Sequence, residues 1–317
     1  MTGTPTHHFI QPAPCEPGDF PESLRETEGM VVLDVAAAAV LPEAVLSVPF
    51  AEKQGTTLHL HLLLPPAARE GAAWTFPLVV YVQGSAWRTQ NLGQNLPALA
   101  RVAAWGYVVA IVEYRPSDVA PFPAQVRDVR TALAFLYEHA AEFRIERDAC
   151  VLWGDSSGGH TAMLTALTVG DPGYADEPAD APAPVVRGVV DFFGPTDISR
   201  MNEEPSTQDH RAPDSPEGRL IGGHDVLSRP DLVAPTIVMN HIDMRPLPPF
   251  LVFHGGRDRF VPFGQSVLLA RALRDAGHEV SFYKLAGADH GGPEFWSPPV
   301  LSIVRSFLGA RLNGAGT

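Results

Sequence analysis

The sequence predicts an α/β protein: an eight-stranded, mostly parallel sheet, helices on both faces, and a cap insertion between the sixth and seventh strands. Three observations carry this expectation. Near-continuous apolar runs such as LVVYV (78–82) and YVVAIV (107–112) recur, as strands buried on both faces require. Segments of helical length and period separate the later runs. A long polar stretch rich in proline and acids, residues 199–247, then breaks the rhythm.

Residues 1–43 mix prolines, acids and an alanine run at 36–39 without clean periodicity, and are expected to form an amino-terminal arm. Residues 44–317 would form the main domain. Its strands are read at 44–50, 58–64, 78–82, 107–112, 150–153, 189–193, 250–253 and 280–284. The first two lie close, with Gly55 between them, and read as a hairpin. Val126, Val129, Leu133 and Leu136 recur on one helical face. Pro123 stands just before that helix, where a missing N–H does no harm. A second helix over 265–276 stops at Gly277, and a closing helix over 297–312 begins with Pro298 and Pro299 in its first turn. Residues 199–247 are too long for a bare connection. They are assigned as a cap over the carboxyl edge of the sheet, with Glu203, Glu204, Asp209, Asp214 and Glu217 as its solvated surface.

Composition excludes several classes of function. The 317 residues carry 23 basic and 36 acidic side chains, a net charge of −13, which gives no general attraction to nucleic acid or anionic membranes. Two cysteines, Cys15 and Cys150, cannot build a disulfide framework or a cysteine-rich zinc site. The amino terminus lacks the basic and apolar regions of a signal peptide, and no window approaches a membrane-spanning apolar run. A cytoplasmic location without nucleic-acid or membrane partners is therefore expected. No phosphate loop or dinucleotide fingerprint is present, so no cofactor is expected. His59 and His61 share one face of a strand, but no third ligand accompanies them, and no metal site is assigned.

The chemistry is carried by Gly154-Asp155-Ser156-Ser157-Gly158, a G-x-S-x-G string between an apolar strand and a helix-like run. A sharp strand-to-helix turn there projects the Ser156 hydroxyl above the sheet, and the flanking glycines make room for it. The Ser157 N–H would then face a developing oxyanion. An unactivated serine needs a base oriented by an acid. Both follow in the order this architecture uses: Asp258 after the seventh strand and His290 after the eighth. Asp289 competes as the acid, but its side chain is expected to point away from the ring of its neighbour. The other histidines near the site, His160 and His254, are read as structural. A second oxyanion donor should follow the third strand, where Gln83-Gly84-Ser85-Ala86-Trp87 offers the N–H of Ser85 or Ala86.

These motifs, in this order, resemble the α/β-hydrolase fold, and more narrowly the carboxylesterases related to hormone-sensitive lipase and the bifunctional feruloyl and acetyl esterases. The likeness extends from about residue 44 to 308. It includes Glu113-Tyr114-Arg115, Pro121-Phe122-Pro123-Ala124, Asp128, Phe193-Gly194-Pro195-Thr196-Asp197 and the string from Asp289 to Trp296. The resemblance implies a serine carboxylesterase with Ser156 as nucleophile, Asp258 as acid and His290 as base. Its substrates would be small acyl esters of acetyl or hydroxycinnamoyl type, with Trp87 in the substrate site. One departure matters: the family usually has His-Gly-Gly-Gly-Trp where this chain has Gln83-Gly84-Ser85-Ala86-Trp87. The Ser85 and Ala86 side chains are expected to narrow the acyl site, and the Gln83 amide to brace the loop in place of histidine.

Two other readings stay open at this level. The same triad serves an amidase, formamidase or small-peptide hydrolase. A non-catalytic small-molecule receptor also occurs on this fold, since fold alone does not settle function. A homodimer is compatible with the fold, but nothing in the sequence specifies one.

Overall fold

The computed structural model describes residues 10–33, 41–66, 74–177, 181 and 184–312. The chain divides into two units, residues 1–39 and 40–317. The described part of the first holds a single 3₁₀ turn at Pro17–Asp19; the alanine run at 36–39 lies outside the described residues.

The second unit opens with β1 (Glu43–Lys53) and β2 (Thr56–Leu64), an antiparallel hairpin closed by Gln54 and Gly55. Both turn residues have positive φ, 53° and 74°, which matches the right-handed twist of the strands. There follow β3 (Phe76–Val82), α1 (Leu96–Ala103), β4 (Val108–Val112), α2 (Ala124–Glu138), β5 (Ile145–Asp155), α3 (Ser157–Leu167) and β6 (Val186–Phe192). After the insertion, which contains α4 (Pro216–Leu220) and α5 (Pro230–Val233), come β7 (Phe250–Gly255), α6 (Gly264–Asp275), β8 (Val280–Leu285) and α7 (Pro298–Leu312). The eight strands lie in the order β1-β2-β4-β3-β5-β6-β7-β8. All pairings beyond β2–β4 are parallel.

The apolar strands read as continuous because both faces are covered. In β3, Leu78, Val80 and Val82 pack into the core shared with α2 and α3, whereas Val79 and Tyr81 pack into the core shared with α1 and α7. This is the period of two expected of a strand between two layers. Helix α2 begins at Ala124, directly after Pro123. Helix α6 ends at Asp275, and Gly277 follows with φ 78° while the His278 N–H reaches back to the Leu273 carbonyl. Helix α1, which buries Leu99, Val102 and Ala103, has no counterpart in the sequence reading.

The insertion is a chain of short helices with its own small core of Ile198, Leu220, Ile221, Val226 and Val233, packed against Trp87. Glu203, Glu204, Asp209 and Asp214 are exposed, as expected. Glu217 is not: it is 3% exposed. Ser215 caps α4 by accepting the Gly218 N–H, Pro216 opens the helix, and the first-turn Glu217 faces the interior against His210.

Candidate active site

Strand β5 delivers Ser156 to the carboxyl edge of the sheet. Its backbone sits at φ 50°, ψ −128°, a strained conformation for a serine. The turn closes only because its neighbours lack side chains. A Cβ on Gly154 would lie 2.3 Å from the Gly158 carbonyl oxygen, and one on Gly158 would lie 2.0 Å from that of Val82.

The loops after β7 and β8 bring the two distant residues to this point. The Ser156 hydroxyl lies 2.9 Å from His290 Nε2, and His290 Nδ1 lies 2.8 Å from Asp258 Oδ2. Asp258 Oδ1 accepts the N–H groups of Phe260 and Val261 at 2.9 and 2.8 Å. His254 is fully buried; its Nε2 lies 2.9 Å from the Val261 carbonyl and 3.3 Å from Asp258 Oδ2, and its Nδ1 bonds Ser266. Burial alone would raise the Asp258 pKa, but hydrogen bonds from His254 and His290 outweigh it and hold the carboxyl well below the usual carboxylate range. His254, structural by sequence, thus braces the acid itself. Asp289 is directed elsewhere: its Oδ1 accepts the His290 and Arg259 backbone N–H groups, and its carboxylate pairs with the Arg259 side chain. The His290 ring lies between Phe193 and Phe260, at centroid distances of 4.6 and 5.5 Å.

The loop after β3 differs from the expectation in one respect. The Ser85 N–H donates to Ser157 Oγ at 2.9 Å, so it is engaged within the protein rather than facing Ser156. Ser157, absent its hydroxyl, could not accept it; this commitment depends on a side chain 72 residues away. Ala86 and Trp87 follow with φ 56° and 53°, which turns the loop over the site. As the first residue of α3, Ser157 presents an amide that the helix ladder does not use. The Ser85 hydroxyl is held by the Arg88 carbonyl and by Tyr114. The Gln83 side chain donates to Gln94 at 3.0 Å, while Gln90 holds the Gln83 carbonyl at 3.1 Å. The brace expected of Gln83 is therefore shared with Gln90. Asp155 anchors the same loop, accepting from Tyr81 at 2.6 Å and from the Gly84 N–H at 2.9 Å.

Two buried groups lie around the elbow. Burial lowers the His160 pKa to about 4, so its ring is neutral; Nε2 donates to the Thr236 carbonyl at 2.8 Å, and Trp87 packs edge-on against it. Burial pushes the Asp191 carboxyl up to about 8. It accepts the Gly194 N–H at 3.0 Å and lies so close to α3 that a Cβ on Gly159 would be 2.2 Å from its Oδ1.

A cavity of about 340 Å³ opens over Ser156 and His290, lined also by Ser85, Ala86 and Trp87, and by His210 and Glu217 from the insertion. The last two were missed by sequence reading. The only signal for them was the Ser215-Pro216-Glu217 helix start, which places an acid in a capped first turn. His59 and His61 lie elsewhere, bonded to Glu113 and to the Ser47 N–H. Among the described residues, no cluster of three His, Cys, Asp or Glu side chains is arranged to hold a metal, and no helix is long and apolar enough to cross a membrane.

A mostly parallel eight-stranded sheet, with a serine elbow after β5 and its acid and histidine partners after β7 and β8, defines the α/β-hydrolase fold. Within that fold the chain belongs to the BD-FAE family, whose model matches residues 60–273. It is 31% identical over 218 residues to the esterase LipC of Mycobacterium tuberculosis, covering 68% of this chain and 53% of that one. A structure described as a truncated carbohydrate esterase from gut microbiota superposes with a TM-score of 0.75 at 25% identity, covering 87% of this chain and 98% of that one. The bifunctional GH43-CE protein of Bacteroides eggerthii gives 0.73 at 27% identity, covering 84% and 38%. The chain spans about half the length of the curated relatives it matches.

Proposed function

We propose that this chain is a serine carboxylic-ester hydrolase acting on small acyl esters of acetyl or hydroxycinnamoyl type. One observation carries the reading: the continuous relay from Ser156 Oγ through His290 to Asp258, at 2.9 and 2.8 Å, at the floor of a cavity. The family and the esterase relatives support it.

In this mechanism His290 Nε2 takes the Ser156 proton as Oγ attacks the ester carbonyl carbon. The negative charge that develops on the carbonyl oxygen is met by the amides of Ala86 and Ser157. One such donor is typically worth about 3–4 kcal/mol in the transition state. His290 then returns its proton to the departing alcohol, leaving the acyl group on Ser156. Water, deprotonated by His290, attacks the acyl-enzyme and releases the acid. Asp258 holds the imidazole tautomer and stabilises its cation, and His254 and His290 keep its carboxyl ionised while it does so. Trp87, 2% exposed, forms part of the substrate wall.

The test is hydrolysis of p-nitrophenyl esters from acetate to octanoate by wild type and Ser156→Ala. Turnover by wild type that falls with chain length, and none by the variant, is the expected result. Retained turnover in Ser156→Ala contradicts the mechanism. No ester turnover by folded wild type moves the weight to amide substrates or to a binding role.

A further inference from the structure

The loop after β3 is under backbone strain at the point where it meets the elbow. Residues Ser85 to Arg88 form a turn closed by the Arg88 N–H on the Ser85 carbonyl at 3.1 Å. Its two central residues, Ala86 and Trp87, have φ 56° and 53°, and neither is glycine. Left-handed backbone at two consecutive L-residues is costly and persists only where the surroundings over-determine it. The two neighbours of Ser156 supply part of that restraint. Asp155 Oδ1 accepts the Gly84 N–H at 2.9 Å, and Ser157 Oγ accepts the Ser85 N–H at 2.9 Å.

Tyr114, two residues past β4, supplies another part. Its hydroxyl lies 3.0 Å from Ser85 Oγ and 3.3 Å from Ser157 Oγ, with the Gln83 carbonyl a more distant acceptor at 3.5 Å. Counting protons fixes the direction of the short bonds. Ser85 Oγ gives its one proton to the Arg88 carbonyl at 2.5 Å, so towards Tyr114 it can only accept. The Tyr114 proton is then spent on Ser85, and its oxygen accepts from Ser157. A closed circuit results: Ser85 N–H to Ser157 Oγ, Ser157 O–H to Tyr114 Oη, and Tyr114 O–H to Ser85 Oγ. Burial pushes the Tyr114 phenol up to about 12, so the circuit keeps the proton it needs. Ser117, three residues on, donates its N–H to the Trp87 carbonyl at 2.7 Å and ties the same two loops a second time.

We propose that Tyr114 is a positioning residue, whose hydroxyl fastens the strained Ser85–Arg88 turn to Ser157 and so aims the Ala86 amide at the oxyanion. This rests on the esterase reading and adds a residue on which its oxyanion hole depends. The tyrosine is 1% exposed and belongs to the core shared with α2 and α3, so it acts through Ser85 and Ser157 and not on substrate. A phenol that only filled this core could be replaced by phenylalanine without kinetic consequence.

The experiment measures kcat and KM for p-nitrophenyl acetate, well below the melting temperature, in wild type, Tyr114→Phe and Tyr174→Phe. Deleting an oxyanion donor outright costs about 10²–10³ in kcat, and a donor displaced rather than lost should cost about 10–100-fold. KM should stay within about threefold, because the ground-state carbonyl makes little use of the hole. A trifluoromethyl ketone, whose adduct on Ser156 places a charged oxygen in the hole, should lose affinity by the same factor as kcat/KM. Tyr174→Phe deletes a hydroxyl that bonds the Pro235 carbonyl at 3.3 Å, and should leave kcat unchanged. A Tyr114→Phe protein with lowered Tm but kcat within about threefold of wild type, or with its loss in KM alone, overturns the assignment. If folded wild type turns over no ester, the esterase reading fails separately, and amide hydrogen exchange then decides the inference. Faster exchange of the Ser85 and Ala86 amides in Tyr114→Phe supports it, and exchange equal to that of wild type overturns it.

Discussion

Replacing Gly158 with alanine tests the geometry of the elbow more sharply than removing a reactive group. In an ordinary helix the change stabilises by about 1 kcal/mol, because alanine restricts the unfolded chain. Here the new Cβ would lie 2.0 Å from the Val82 carbonyl oxygen and 2.7 Å from the Gln83 carbonyl carbon. Ordinary carbon–oxygen contact lies above 3 Å, so α3 and the end of β3 must separate by about 1 Å. Neither partner yields cheaply. Val82 is paired with Val112 on one side and Gly154 on the other, and the contacted atoms are backbone. Overpacking of this kind costs about 1–3 kcal/mol, which outweighs the helical gain. The displaced elements carry Ser156 on one side and the Ser85–Ala86 loop on the other. A 1 Å misplacement of reacting groups costs about 100-fold in rate. Thermal unfolding and p-nitrophenyl acetate kinetics should therefore show a Tm lowered by several degrees and kcat reduced by about two orders of magnitude. Gly93→Ala is the control, since its nearest neighbour, Asn91 Oδ1, stands at 3.4 Å. A Gly158→Ala protein with wild-type Tm and near-wild-type kcat would refute the reasoning.

Three further predictions follow from the same contacts. Asp258→Asn should fold, since the Phe260 and Val261 amides keep an oxygen acceptor, yet lose about 10⁴ in kcat as the imidazole tautomer and its cation lose support; a small kcat effect would show that the acid is elsewhere. Ser157→Ala should strand the Ser85 N–H and lower stability by about 1–3 kcal/mol in denaturant titration; an unchanged midpoint would show that this contact is unimportant. Asp191 has a folded pKa of about 8, above the unfolded carboxyl value, so its contribution is full below the unfolded value and is lost as pH rises towards 8. Between pH 5 and 8 wild type should lose up to about 1.4 kcal/mol per pH unit relative to Asp191→Asn. Parallel Tm–pH curves for the two proteins would contradict a buried, neutral Asp191.

The parts of this molecule legible in the sequence are those in which local pattern and global position agree. The β3 and β4 strands are apolar throughout because both faces are covered, and their composition shows it. The elbow needs glycines at 154 and 158 for steric reasons that leave a string in the sequence. Asp258 and His290 could be chosen because they follow Ser156 in the chain order this fold uses and lie just after the neighbouring strands β7 and β8, at the carboxyl edge that also carries the elbow. What escaped was set by contacts between distant side chains. Whether the Ser85 amide faces the site depends on the hydroxyl of Ser157, which no local pattern at Ser85 reports. Glu217 looks like one more acid on a polar insertion; only its pairing with His210 inside the cap marks it as buried. His254 reads as a strand end, and its hold on Asp258 becomes visible only once the loop after β7 folds back. Helix α1 is short and carries Pro97 in its first turn, so its apolar face spans too few residues to show a period.

The central claim is that Ser156 becomes covalently acylated through His290. Intact-mass and peptide-mapping analysis after treatment with a fluorophosphonate, which reacts with an activated serine, tests this most directly. The account predicts one adduct per chain, on Ser156, formed rapidly by wild type, slowly by His290→Ala and not at all at that peptide in Ser156→Ala. An unlabelled Ser156 in folded, wild-type protein, or an adduct on another residue with ester turnover intact, would contradict it.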